Sequence, residues 1–346
     1  MAKKVKAPVR LAIVGAGGIS GAHAKGILEH PDKVECTALC DVSEKSLQAR
    51  NAQLGGERPC YPDWRKMLSH MGDRIDAVLI CLPHHLHGRA IIDAAAAGKH
   101  ILCEKPMCTS LRQADAIAAA VSKARVTYMS AHNQLFLPVV RRAKQLIDAG
   151  TIGRVRWLRS QDCFVAGVDW FPGTWRANAK LQGGGELIDT GYHPCYRLLH
   201  LAGSPVAAVR GSMARFLQRI EGEDTAGVQV RFANGALGEV LTSWAFANPY
   251  GTHQIHVVGD KGQVFGSDND LYYLPEGFSE PARITLPEAH TFVDQMAHFA
   301  HCLMTGTRPP HAVEEGRAVL EVILAATKDA KGWQAPAERT PRRGRT

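Results

Sequence analysis

The feature that most constrains this chain is the run Leu11-Ala12-Ile13-Val14, which empties into Gly15-Ala16-Gly17-Gly18. An unbroken apolar run of this length reads as a strand buried on both faces, the kind found in parallel sheets covered by helices. Gly15 permits a tight turn, and Gly17 lets backbone come close to a phosphate. A helix starting there offers its first amides to negative charge. Ser20 stands where such loops carry a third glycine, and Gly21 follows it. The pattern gains weight from its setting: it follows a strand, precedes a helical stretch, and is answered by Asp41 at the end of the next apolar run. Asp41, 26 residues after Gly15, is expected to accept the ribose hydroxyls of NAD and to repel the 2′-phosphate of NADP. Its plainer role is to cap the helix at Ser43, and Lys45 nearby leaves room for NADP.

The alternation continues through Ser130. Cys36–Cys40, Ala77–Cys81, Ile101–Cys103 and Thr127–Ser130 read as strands, separated by helical stretches at Ala22–Leu28, Ser43–Leu54, Ala90–Ala97 and Leu111–Ser122. Gly98 stands where a left-handed helix cap belongs. The chain is thus α/β over residues 1–131, with a parallel sheet covered on both faces. After Asn133 the pattern changes. A helix over Val139–Asp148 ends near Gly150, and apolar residues then recur in period two, from Val155 and Trp157 to Val228, Val230 and Phe232. Asn234-Gly235 is a hairpin turn leading to Leu237–Leu241. Gly259-Asp260-Lys261-Gly262 turns between His253–Val258 and Gln263–Phe265. A second, α+β unit is expected over 132–334, with a large, mostly antiparallel open sheet. Its last helix, Val313–Lys331, follows Pro309-Pro310 and is expected to pack back on the first unit.

At 346 residues the chain exceeds what one core serves, which agrees with two units. The net charge of +8 suggests nucleic acid, but its placement argues otherwise. Three lysines without an acid open the chain, and four arginines against one acid close it over 335–346, so the two ends hold six of the eight charges. A binding face needs clustered charge on a folded surface; a basic, disordered tail is the better reading. Nine cysteines form no CxxC pair, and Cys40, Cys81 and Cys103 sit inside apolar runs. Reduced, buried thiols and a cytoplasmic setting are expected. The lysines before Leu11 imitate a secretion signal, but Gly15 to Gly18 break the apolar stretch. No run approaches the roughly 20 residues of a membrane helix.

Two further patterns carry chemistry. Glu104-Lys105-Pro106 follows the strand Ile101–Cys103, so Lys105 leaves the carboxyl edge of the sheet, where open parallel sheets bind ligands. Pro106 favours an extended backbone at Lys105. A solvated lysine is the plainer reading, but a partner motif weighs against it: Gly183-Gly184-Gly185-Glu186-Leu187-Ile188-Asp189-Thr190-Gly191-Tyr192-His193. Asp189 and His193 are four apart, on one face if a helix begins here, and Gly191 leaves room between them. With Lys105 they read as acid–base machinery rather than as metal ligands. Pro83-His84-His85-Leu86-His87 reads as a surface turn against the cofactor; no acid or thiolate completes a metal cage around its histidines.

On VGAGGI, Pro83…His87, AGKHILCEKP, Gly150-Thr151-Ile152-Gly153 and GGGELIDTGYH, the chain resembles the Gfo/Idh/MocA oxidoreductases over nearly its whole length. The resemblance implies a Rossmann domain that binds NAD or NADP, a sugar or polyol substrate, and a C-terminal domain whose open sheet joins a homodimer or homotetramer. By matching positions it implies Lys105, Asp189 and His193 as the catalytic set. His193 would take the hydroxyl proton, Lys105 would stabilise the alkoxide, and Asp189 would tune both. Cofactor contacts are implied at Gly15, Gly17, Gly18, Ile19, Asp41, Pro83, His84, His87 and Glu104. Substrate contacts are implied at Asn133, Trp175 and Arg176, together with the catalytic three. Three positions depart from the family. Tyr196 stands where many members carry an aspartate, Pro194 follows the histidine and is expected to bend its helix, and His84 replaces a common asparagine.

The leading function is an NAD(P)-dependent dehydrogenase of a sugar or polyol hydroxyl, acting without metal, nucleic acid or membrane. An NAD-dependent glycosidase on the same fold is the second reading, and a non-catalytic cofactor-binding sensor the third. Retention of Lys105, Asp189 and His193 weighs against the sensor.

Overall fold

The computed structural model describes residues 4–332; the basic segment 335–346 lies outside the described residues. The first half alternates as the apolar runs require: β1 (Val9–Val14), α1 (Gly18–Glu29), β2 (Val34–Cys40), α2 (Glu44–Gln53), β3 (Cys60–Tyr61), α3 (Trp64–His70), β4 (Ala77–Ile80), α4 (His84–Ala96), β5 (His100–Cys103), α5 (Leu111–Ala124) and β6 (Tyr128–Ser130). The six strands form a parallel sheet in the order β3-β2-β1-β4-β5-β6. Leu11, Ile13, Leu79 and Leu102 are wholly buried, each stabilising by roughly 1.5–3 kcal/mol relative to exposure. Strand order reverses between β1 and β4, and that switch point is where such sheets bind ligands.

The second sheet follows α6 (Pro138–Asp148) and takes up β7 (Val155–Cys163). After α7 (Ala179–Gln182) and α8 (Tyr192–Ala202) come β8 (Val206–Ala214), β9 (Thr225–Phe232), β10 (Leu237–Ser243), β11 (Ile255–Gly259), β12 (Gly262–Ser267), β13 (Asp270–Pro275) and β14 (Ala282–Thr285). Eight strands pair in the order β14-β13-β12-β11-β7-β10-β9-β8, all antiparallel except β7 with β10. Asn234-Gly235 makes the β9–β10 hairpin, with Gly235 at φ 88°.

α6, α8 and α10 (Val313–Ala330) cover one face of this sheet. α10 also packs on α5 and β6 of the first half, and Tyr192 of α8 donates to its Gly316 carbonyl at 2.9 Å. α9 (Thr291–Thr305) returns to the first half, where Met296, Phe299 and Leu303 join the core around Leu11 and Ile13. The uncovered face of the second sheet mixes aromatic and polar side chains. It carries a row of rings, with Trp157 edge-on to His256 at 5.5 Å and Phe265 stacked on Tyr272 at 5.5 Å, beside the polar Arg159, Gln229 and Glu239.

Candidate active site

β1 ends at Val14, and Gly15 turns the chain with φ 97°. A Cβ there would lie 2.4 Å from the Cys81 carbonyl oxygen, so glycine is what lets the ends of β1 and β4 sit together. α1 is capped by Gly17 with no side chain on its amides, whereas α2 and α5 give theirs to Ser43 and Ser110. A Cβ on Gly17 or Gly18 would meet no atom within 4 Å. Free helix amides beneath an open, side-chain-free surface fit a dinucleotide pyrophosphate. Ile19 follows in the first turn, partly exposed. Asp41 holds the loop from β2: its Oδ2 accepts from Ala16 N at 2.7 Å and its Oδ1 from Ser43 N at 2.8 Å. Each oxygen keeps a lone pair for a ribose hydroxyl.

Sequence reading missed Arg50. From α2 it runs beneath the loop, buried, with Nε donating to Ser20 Oγ at 3.0 Å and Nη2 to the Gly17 carbonyl at 3.1 Å. Ser20 in the third-glycine position is the partner that this guanidinium uses, and no carboxylate pairs with Arg50 among the described residues. A buried, unpaired cation is costly unless something anionic sits nearby, which a phosphate held by this loop would supply.

The second cluster forms where β5 ends. Lys105 Nζ donates to the Asp189 carbonyl at 2.9 Å and to its Oδ1 at 2.8 Å. Arg176 Nε donates to Asp189 Oδ2 at 2.7 Å, and His84 Nε2 lies 3.8 Å from Oδ1. Burial alone would raise the Asp189 pKa, but Lys105, His84 and Arg176 outweigh it and hold the carboxyl well below its ordinary range. One carboxylate thus faces two fixed cations, leaving net positive charge where an alkoxide would form. Buried ion pairs contribute little to stability, so this one is better explained by chemistry.

Asp189 and His193 do not share a helix face. Asp189 sits in the turns before α8, which is capped by Gly191 and starts at Tyr192, placing His193 in its first turn. Pro194 therefore does not bend the helix: it falls in the first turn, where a missing N–H costs nothing. Gly191 makes room for the protein itself, since a Cβ there would lie 2.7 Å from Leu187 Cα and 2.8 Å from Thr242 Cγ2. His193 is half-buried. Burial, then the nearby Lys105 and Arg197, hold its pKa well below 6.5.

Several predicted contacts take other places. Pro83 caps α4 instead of forming a surface turn, and His84 and His87 are buried in that helix. His84 Nδ1 meets the Gln182 carbonyl at 2.9 Å, and burial pushes its pKa down to about 3. His87 has both ring nitrogens against carbonyls, Pro106 at 2.6 Å and Leu82 at 2.7 Å. It ties the β4 and β5 turns together and has no free nitrogen for a cofactor. Glu104 pairs with buried His23 at 2.7 Å and accepts from Lys105 N at 3.1 Å, so it braces the lysine. Asn133 is buried and donates to Thr291 Oγ1 at 3.2 Å, a layer behind His193. Trp175 lies edge-on to His84 at 4.5 Å and under the Arg176 guanidinium at 4.3 Å. Arg176, Asp189 and Thr190 border a cavity of about 330 Å³ whose other walls include Trp170 and Trp244.

Residues 9–132 match the oxidoreductase family with an NAD-binding Rossmann fold, and residues 140–265 match the GFO/IDH/MocA C-terminal domain. The chain belongs to the Gfo/Idh/MocA family. It is an NAD(P)-dependent oxidoreductase. Myo-inositol 2-dehydrogenase of Thermotoga maritima is 25% identical over 92% of this chain and 96% of that protein. D-xylose 1-dehydrogenase [NADP(+)] of Haloarcula marismortui is 28% identical over 91% and 89%. Among solved structures, aldose-aldose oxidoreductase from Caulobacter crescentus superposes with a TM-score of 0.83 at 25% identity, covering 93% of this chain and 97% of that one. No helix among the described residues is long and apolar enough to cross a membrane. All nine cysteines are free, and eight of them are buried.

Proposed function

We propose that this family member oxidises a hydroxyl carbon of a sugar or polyol, with Lys105, Asp189 and His193 as its catalytic residues and NAD as the preferred cofactor. The observation that carries this reading is the Lys105 ammonium, fixed by two bonds to Asp189 at the carboxyl edge of the sheet that holds the dinucleotide loop. When bound, NAD supplies the hydride acceptor. His193 takes the hydroxyl proton, and Lys105 with Arg176 stabilises the negative oxygen that develops. Asp189 fixes both cations and offsets only one of them. Hydroxyl-rich substrates suit a cavity that combines Arg176 and Asp189 with indole faces, and the dehydrogenases among its relatives act on inositol and xylose. Asp41 at the ribose position supports NAD over NADP. Partners of the same chain are proposed to meet on the uncovered sheet face, giving a homo-oligomer.

The test is a polyol and aldose screen with the purified protein, offering NAD and NADP separately and assaying glycoside cleavage in parallel. Reduced cofactor appearing with a sugar or polyol, faster with NAD, is the expected result. Glycoside cleavage without net cofactor reduction would replace this reading with the glycosidase.

A further inference from the structure

Tyr196 is buried one helical turn after His193, and its hydroxyl lies 2.6 Å from His193 Nδ1. Two more polar groups converge on that oxygen. Gln134 N donates to it at 3.1 Å, and it donates to Asn133 Oδ1 at 3.5 Å. On its other side the Asn133 amide nitrogen donates to Thr291 Oγ1 at 3.2 Å. The ring itself is held by stacking on buried His132, with centroids 4.4 Å apart and planes 14° apart.

A phenol has one proton to give and two lone pairs to receive with. Gln134 N–H can only donate, and Asn133 presents its Oδ1, which can only accept; in this arrangement all three neighbours are satisfied when His193 Nδ1 carries the proton and donates it to Tyr196. The other nitrogen, Nε2, is then bare. Which nitrogen of an imidazole is free is set by the bond its partner nitrogen makes.

We propose that Tyr196, with Asn133 behind it, is the positioning device that fixes His193 in its Nδ1–H tautomer and keeps Nε2 available as the base. The inference rests on the reading of His193 as the base. In the step it serves, the substrate O–H bond breaks and its proton goes to Nε2. The carbon's hydride leaves to NAD, and the Nδ1–H bond to Tyr196 stays in place as the ring becomes imidazolium. A phenol does this work without the negative charge that a carboxylate would bring. His193 is therefore a weaker base than one backed by an acid, and it stays neutral further into acid.

The groups facing this ring are few. Lys105 reaches it from the end of β5, Asp189 from the turns before α8, Arg197 and Tyr196 from α8, and His132 from the segment after β6. Glu104 and Asp162 face Tyr196 from further away. Lys105, Arg197 and His132 disfavour the imidazolium, and Asp189 favours it.

The experiment combines pH–rate profiles with nitrogen-15 NMR of histidine-labelled protein. Wild type should show His193 with Nδ1 protonated, and the acid limb of kcat should lie below pH 6.5. Tyr196→Phe should lower kcat by at least about tenfold with little change in KM, and should mix the two tautomers. Asn133→Asp keeps the shape and places a carboxylate behind the phenol, so its acid limb should move up by about one pH unit. NAD titration and melting curves confirm that each variant is folded. A wild-type His193 protonated on Nε2, or a Tyr196→Phe enzyme with wild-type kcat and tautomer, would overturn the proposal. An unmoved limb in folded Asn133→Asp would do the same. If His193→Ala retains full turnover, the fault lies with the base assignment and not with Tyr196.

Discussion

Asp189 shows how single residues can be read from their surroundings. A lone carboxylate this buried would rather be neutral, yet Lys105 and Arg176 keep it ionised. The site pays for a buried charge so as to fix two cations in place. Arg50 is the opposite case, a buried cation without a carboxylate, held by the Gly17 carbonyl and Ser20. It should act on a phosphate through the loop. Arg50→Met is expected to weaken NAD binding by about tenfold, or ~1.4 kcal/mol, between the ~1 kcal/mol of a close charge pair in water and the ~4 kcal/mol of one near a protein surface. Isothermal titration of folded variant and wild type checks this; equal affinities would reduce Arg50 to a strut. The glycines, Asp41 and Lys105 stand just past the ends of β1, β2 and β5, where the sequence pattern puts them. Arg50, Tyr196 and His87 were not legible, since their partners lie across turns and folds that the linear sequence does not bring together.

At the scale of elements, legibility followed periodicity. β4 and β5 are wholly buried, β1 is interrupted only at Arg10, and β2 is apolar and buried at its carboxyl end; the sequence pattern finds all four to within a residue or two. β3 spans two residues, too short for any period. β8 and β14 are edge strands with much exposed surface, so no alternation marks them. The sequence pattern starts α4 only at Ala90, because three histidines and a proline resemble a turn. In the structure Pro83 stands at its cap and the buried His84 and His87 face inward. α9 also escaped notice, although its Phe299 and Leu303 complete the core beneath β1. The turn before α8 looked helical only because Asp189 and His193 are four apart. The Gly183 to Gly185 stretch and the tight fit at Gly191 bend it instead.

Across the whole molecule, α10 touches both sheets and α9 returns from the second to the first, so the lysine of one half and the aspartate of the other are held in one frame. The ring row on the uncovered sheet face is the surface most suited to a second copy. Light scattering at micromolar concentration should give a dimer or tetramer, and a mass near 37.6 kDa would show a monomer. Turnover should depend on the Lys105 ammonium, and cofactor binding should not. Lys105→Met leaves Asp189 compensated by Arg176 and leaves the glycine loop untouched, so the variant should fold. Turnover on the best substrate of the screen, measured beside an NAD titration of the same preparation, is the most direct test. kcat should fall by at least about 10²-fold with NAD affinity little changed; near-normal turnover by Lys105→Met would contradict the role given to the ammonium.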